Sequence, residues 1–203
     1  MKFSIGVVLF NDFELLDVFG PVEFFGLLPD QFSISLVGEQ EGYVRSAQGP
    51  RSVIDQTIDN DHSYNILLVP GGKGTRMEVN NLKLLDWIAD QSRTADVVSS
   101  VCTGSALLAK SGIINDKRAT TNKNAYNWVK SQSLNVQWIP QSRWVQDGKF
   151  FTSSGVSAGM DMALGIIESI LGRGTSEKVA DWAEYEWHSD SRWDPFAKKN
   201  NLI

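Results

Sequence analysis

Along the chain, short apolar runs bounded by glycine, proline and polar residues alternate with longer stretches in which apolar side chains return every three or four positions. The runs are residues 3–10 (FSIGVVLF), 32–38 (FSISLVG), 65–72 (NILLVPGG) and 96–101 (DVVSSV). Each is expected to form a short buried strand. Between them, ELLDVFGPVEFFGLL and NNLKLLDWIADQSR carry helical spacing. Such alternation predicts an α/β fold, a doubly wound and mostly parallel sheet flanked by helices.

Two segments interrupt the alternation. In YVRSAQGPRSVIDQT, strand-like pieces flank Gly49 and Pro50, which predicts a small hairpin appended to the sheet. In RWVQDGKFFTS, Asp147 and Gly148 supply the turn of a second hairpin. Residues 156–171 then read as a helix, and SEKVADWAEYEW as a further amphipathic helix after the break at Gly172 and Gly174. With no repeat or low-complexity linker, residues 1–203 are expected to form one domain.

The composition, 42% hydrophobic and 21% charged, is that of an ordinary soluble globular protein. A formal charge of −5 with scattered lysines disfavours nucleic-acid binding, because phosphate neutralisation needs clustered Lys and Arg. No apolar stretch approaches the roughly 20 residues that span a bilayer, and the N-terminal run is too short for a leader. A cytoplasmic protein acting on a small molecule is the expectation. One cysteine and two histidines, far apart, supply neither an internal disulfide nor zinc-ligand spacing, so no metal or cofactor is expected.

In doubly wound sheets ligands bind outside the carboxyl ends of the strands, which singles out three loops: the one running into Asp17, the PGGKG loop, and the turn holding Cys102. Cys102 follows VVSSV and precedes TGSALLAKSG, a strand-to-helix turn that would expose the side chain and aim the next backbone N–H groups at a developing oxyanion. At a pKa of about 8.5 only about 3% of a thiol is ionised at pH 7, and a helix N-terminus worth up to about 2 kcal/mol would raise that to about half. The competing reading is a buried packing cysteine. Gly72, ending the neighbouring strand, could bring its N–H beside that of Thr103 as an oxyanion pair, although PGG alone also suits an ordinary turn.

LLVPGG, SVCTGSALLAKSGIINDKRATT and TSSGVSAGMDMAL, in this order and spacing, resemble the ThiJ/PfpI superfamily, whose members carry a cysteine on such an elbow in a flavodoxin-like fold. The resemblance runs from Phe3 to about Glu186. Its protease-like members are associated with a histidine after the cysteine or elsewhere in the pocket; here Thr103 and Asn122 stand at the two places where one would be sought. His62 lies in a polar turn and His188 follows a C-terminal helix, so a Cys-His pair is not expected. The branch with Asp in LLDVFGP and Thr after the cysteine implies isocyanide hydration: Cys102 as nucleophile, Asp17 as general acid and base, Thr103 and Gly72 around the developing charge. Desolvation and a neighbouring thiolate would raise the Asp17 pKa and keep it protonated. Glu14 and Glu23 are rival carboxylates that better fit a solvated helix face, whereas Asp17 precedes the Gly20-Pro21 break, where the chain is expected to turn.

The same resemblance leaves a glyoxalase or deglycase activity, or an oxidation sensor at Cys102, as alternatives. It also extends to the ligand-sensing half of AraC-type regulators, though no helix-turn-helix is expected in the residues after Trp187. It further implies a homodimer. Trp182, Trp187 and Trp193 are expected to pack the C-terminal segment on the body or at a subunit interface, and Phe19, Phe24 and Phe25 to serve the core or a pocket wall.

Overall fold

The computed structural model describes residues 2–203. The chain begins with β1 (Phe3–Val8), α1 (Leu15–Gly26) and β2 (Phe32–Gly38), the two strands pairing in parallel. A separate ladder of β3 (Tyr43–Arg45) with β4 (Arg51–Val53) precedes a two-residue edge strand, β5 (Gln56–Thr57). Then come β6 (Ile66–Val69), the single turn α2 (Thr75–Glu78), α3 (Leu82–Thr94) and β7 (Val97–Ser100). A 3₁₀ turn, Cys102–Gly104, runs into α4 (Ser105–Lys110). A small pair, β8 (Arg118–Ala119) and β9 (Gln137–Trp138), brackets α5 (Tyr126–Lys130). The hairpin β10 (Trp144–Asp147) and β11 (Phe150–Ser153) follows, then α6 (Ala158–Leu171), α7 (Arg173–Trp182) and α8 (Pro195–Lys199).

The main sheet has seven strands in the order β10-β11-β7-β6-β1-β2-β5, parallel throughout except for β10 against β11. Its parallel core β2-β1-β6-β7-β11 has the 2-1-3-4-5 order of flavodoxin-like folds, and the order reverses between β1 and β6. The carboxyl ends of β1, β6 and β7 therefore open toward one crevice. Every residue of β6 and β7 is buried, as strands covered on both faces require. The polar Ser99 is accommodated because its hydroxyl donates to the Leu67 carbonyl at 2.8 Å. Among the described residues no helix is long and apolar enough to cross a membrane.

Several expectations are corrected. The hairpin around Gly49 is a ladder of its own, joined to the body through Phe13, which bridges Ser46 on one side and Gly72 on the other. α1 runs unbroken through Gly20 and Pro21. A Cβ on Gly20 would lie 2.7 Å from Met160 Cγ, so this glycine serves close packing of α1 on α6 rather than a turn. α6 begins at Ala158, because Val156 takes a left-handed φ of +47°. α7 begins at Arg173 and stops at Trp182, where Glu184 adopts φ +48° and the Tyr185 N–H closes on the Ala180 carbonyl at 2.9 Å.

Candidate active site

Cys102 leaves β7 through a left-handed backbone, φ +58°, a conformation that costs a non-glycine residue roughly 1–2 kcal/mol and must be held by its surroundings. Four hydrogen bonds hold this turn. The Val101 N–H reaches the Val69 carbonyl at 3.0 Å and the Cys102 N–H reaches the Ser154 carbonyl at 3.1 Å. The Cys102 carbonyl accepts the hydroxyls of Thr121 at 2.8 Å and Ser105 at 3.2 Å. Gly104 permits the turn to lie against β6, since a Cβ there would sit 2.2 Å from the Val69 carbonyl oxygen.

The side-chain amide of Asn122 reaches the sulfur, its Nδ2 3.2 Å from Sγ, and the backbone amides of Thr103 and Val156 act on it in the same sense, favouring its charged form. A β-branched residue at positive φ is a genuine outlier, and at Val156 it directs an amide onto the sulfur. Cys102 is 6% exposed and forms part of the wall of a cavity of about 350 Å³, together with Glu14, Arg76 and Asn122.

Asp17, in the first turn of α1, is wholly buried. Its Oδ2 accepts the Gly71 N–H at 2.8 Å, Oδ1 takes no hydrogen bond, and the Cys102 thiol is near enough to pull the carboxyl pKa down. Burial pushes the Asp17 pKa well up and Glu14 adds to it, against the pull of the Gly71 amide and the thiol. Burial likewise pushes the thiol pKa up, reinforced by the Asp17 charge and opposed by the three donors. Burial thus works against the thiolate expected from a helix N-terminus, and a 3₁₀ turn before a six-residue α4 offers only a small dipole to oppose it. The pKa values of both neighbouring acids are pushed by burial in the same direction, up.

Thr103 divides its work. Its N–H faces the sulfur, while its hydroxyl oxygen accepts the Gly72 N–H at 3.1 Å. The Gly72 amide, expected to be free for an oxyanion, is thus already engaged, although Gly72 does line the cavity. Its neighbour Gly71 is the residue that touches the acid. A Cβ on Gly71 would lie 2.5 Å from Thr103 N and 2.9 Å from Asp17 Oδ2, so only glycine lets the β6 loop close over the pair.

The structure thus brings Cys102, Asp17, Thr103 and Gly72 together. Glu14, expected on a solvated face, instead lines the cavity, where its Oε1 accepts the Gln48 side-chain amide at 2.7 Å. Arg76 was not singled out in the sequence; it stacks 3.6 Å from the Trp128 ring centroid and places a cation near the sulfur. Asn122 carried a visible signal, standing where a histidine is sought, but its role as donor follows only from the fold. Both histidines are exposed and neither lines this cavity. Phe24 and Phe25 belong to the core and Phe19 is 38% exposed. Trp187 packs on the core, whereas Trp182 and Trp193 are 59% and 48% exposed. A larger cavity of about 630 Å³, lined by Arg143, Ser157, His188, Asp190, Trp193 and Phe196, opens elsewhere and does not include Cys102. Among the described residues no three His, Cys, Asp or Glu side chains cluster to hold a metal ion.

The DJ-1/PfpI family pattern matches residues 3–169. The isonitrile hydratase of Pseudomonas putida is 34% identical over 187 residues, covering 91% of this chain and 79% of that protein. The HTH-type transcriptional regulator GbdR of Pseudomonas aeruginosa is 27% identical over 191 residues, 90% of this chain but 51% of the regulator. Among solved structures, a THiJ/PfpI family protein from Pseudomonas syringae superposes with a TM-score of 0.84 at 24% identity, covering 100% of this chain and 85% of that one.

Proposed function

The chain belongs to the DJ-1/PfpI family, and on that premise we propose that it is a cysteine-dependent hydratase that converts an isocyanide and water to an N-substituted formamide. The observation that carries this reading is the buried Cys102–Asp17 pair: a thiol and a carboxyl that act on each other's pKa, both pushed up by burial, with the Asn122 amide on the sulfur and no histidine lining the cavity.

The chemistry needs a nucleophile at carbon and a proton delivered to that same carbon. Sγ attacks the terminal carbon of R–N≡C, forming the C–S bond, while the thiol proton passes through the Asp17 carboxyl to that carbon. The product is a thioimidate, Cys102–S–CH=N–R. Asp17 then draws a proton from water as its oxygen adds to the carbon, and the nitrogen is protonated. Collapse of the adduct breaks the C–S bond, releases HC(=O)–NH–R and returns the proton to sulfur. Water is the only co-reactant, and no electron leaves the system. The amides of Thr103 and Val156 and the Asn122 side chain stabilise charge on the sulfur as it attacks and as it leaves.

Incubation with an alkyl isocyanide should yield the formamide, and intact mass during turnover should show the protein plus one substrate mass. Binding without formamide would instead indicate a ligand sensor. Absence of turnover together with activity on methylglyoxal would replace the hydratase by a glyoxalase.

A further inference from the structure

Residues 120–123, TTNK, wrap the nucleophile turn. The Thr121 hydroxyl donates to the Cys102 carbonyl at 2.8 Å and the Asn122 amide to Sγ at 3.2 Å. Lys123, next in line, is 3% exposed and plays no part in the reaction proposed above. Its Nζ donates to Thr120 Oγ1 and to the Ser142 carbonyl, both at 2.6 Å. Ser142 lies in the segment that receives the C-terminal part of the chain: the Asp194 N–H donates to the Gln141 carbonyl at 2.7 Å, and the Arg143 N–H to the Ser191 carbonyl at 2.8 Å.

Asp194 is 1% exposed. Its Oδ1 accepts the Phe196 N–H at 2.9 Å, capping α8, while Oδ2 is buried without a hydrogen-bond partner. A lone buried carboxylate oxygen is expensive unless a cation compensates it. The charged groups facing Lys123 are two, Asp194 and Arg143, and the Arg143 guanidinium is already bound by Asp161 at 2.6 Å. The ammonium and the Asp194 carboxylate are not in ion-pair contact; they are joined through neighbouring residues of one segment, Lys123 Nζ to the Ser142 carbonyl and the Asp194 N–H to the Gln141 carbonyl, and the Asp194 charge acts on Lys123 across it.

We propose that Lys123 and Asp194 form a buried charge latch that fastens the C-terminal segment to the loop 120–123 and thereby keeps the Asn122 amide on the Cys102 sulfur. Both are positioning residues, acting on the thiol through Asn122. Burial and Arg143 lower the Lys123 pKa to about 8 while Asp194 raises it, so the latch holds below that pH and weakens as Lys123 loses its proton above it.

The test rests on Cys102 as the reactive thiol and not on hydratase turnover, because it reads alkylation of the chain's single cysteine. The rate of modification by iodoacetamide is followed by intact mass from pH 6 to 10. Asp194→Asn keeps an acceptor for the Phe196 amide and removes only the charge. Alkylation at pH 7 should fall roughly three- to tenfold, with the rate–pH profile displaced to higher pH, because loss of a donor to the thiolate leaves less of it ionised. Lys123→Met should move the profile the same way. In an Asn122→Ala background, Asp194→Asn should add no further displacement, since the amide it positions is gone. An unchanged alkylation profile in Asp194→Asn, whatever its Tm, overturns the proposal. So does a full displacement that persists without the Asn122 side chain. Should Lys123→Met fail to fold, the Asp194 and Asn122 cycle decides alone.

Discussion

Asp17 and Asp161 are both wholly buried and both lie in the first turn of a helix, yet different numbers of donors reach them. Asp161 Oδ2 takes the Arg143 Nε–H at 2.6 Å, and Oδ1 takes the Tyr185 hydroxyl at 3.0 Å and the His188 N–H at 2.9 Å. Burial pushes its pKa up, but a guanidinium, a backbone amide and a phenol pull the other way. Asp17 has one amide, a thiol and an oxygen with neither N–H nor O–H. Full coordination makes Asp161 a tie that holds the C-terminal segment; sparse coordination leaves Asp17 the carboxyl suited to the proton transfers of the proposed reaction. Identical side chains at equal burial are assigned structure or chemistry by the groups around them.

The sharpest way to probe the reactive half is Cys102→Ala, which should bring isocyanide turnover down to the uncatalysed rate and abolish the covalent adduct in intact mass spectra. Asp17→Asn should lower kcat/KM by about 10²–10⁴-fold, the usual yield of a positioned acid–base group. The same change should raise stability. The folded pKa of Asp17 lies above its unfolded value of about 3.9, so wild-type folding binds protons and weakens as pH rises through that window. The Tm advantage of Asp17→Asn should therefore be absent below about pH 4 and grow as pH rises above it.

Asp161→Asn should do the reverse. It leaves the Arg143 charge buried without its partner and should cost about 3–5 kcal/mol in urea unfolding, with far less effect on turnover per folded molecule. If it instead stabilised the protein as Asp17→Asn is expected to, the contrast between the two aspartates would collapse. The smallest effect is expected from Asn122→Ala: about tenfold slower alkylation of Cys102, since one amide donor to a charged sulfur is lost while those of Thr103 and Val156 remain.

The main strands and the two long helices before Cys102 were legible in the sequence because burial on both faces enforces unbroken apolar runs in β6 and β7, and packing on one face enforces helical spacing in α1 and α3. Helix ends were less so. Val156 and Glu184 take positive φ although neither is a glycine or asparagine, so nothing in their identity announces a helix boundary. Gly20-Pro21 reads locally as a break, but packing of α1 on α6 carries the helix through it. At the site, Cys102, Asp17 and the PGG loop stood out as residues whose chemistry or backbone freedom is unusual at strand ends. Arg76 did not, and neither did the roles of Asn122 and Gly71, because each acts only by reaching a partner distant in sequence.

The sequence alone determined the alternation of strand and helix, the position of one thiol on a strand-to-helix turn, and the absence of a histidine beside it. Those follow from local periodicity and residue identity. Only the tertiary structure decided which way the pKa values of that thiol and of Asp17 are pushed, because they are governed by desolvation and by donors that arrive from loops far apart in sequence.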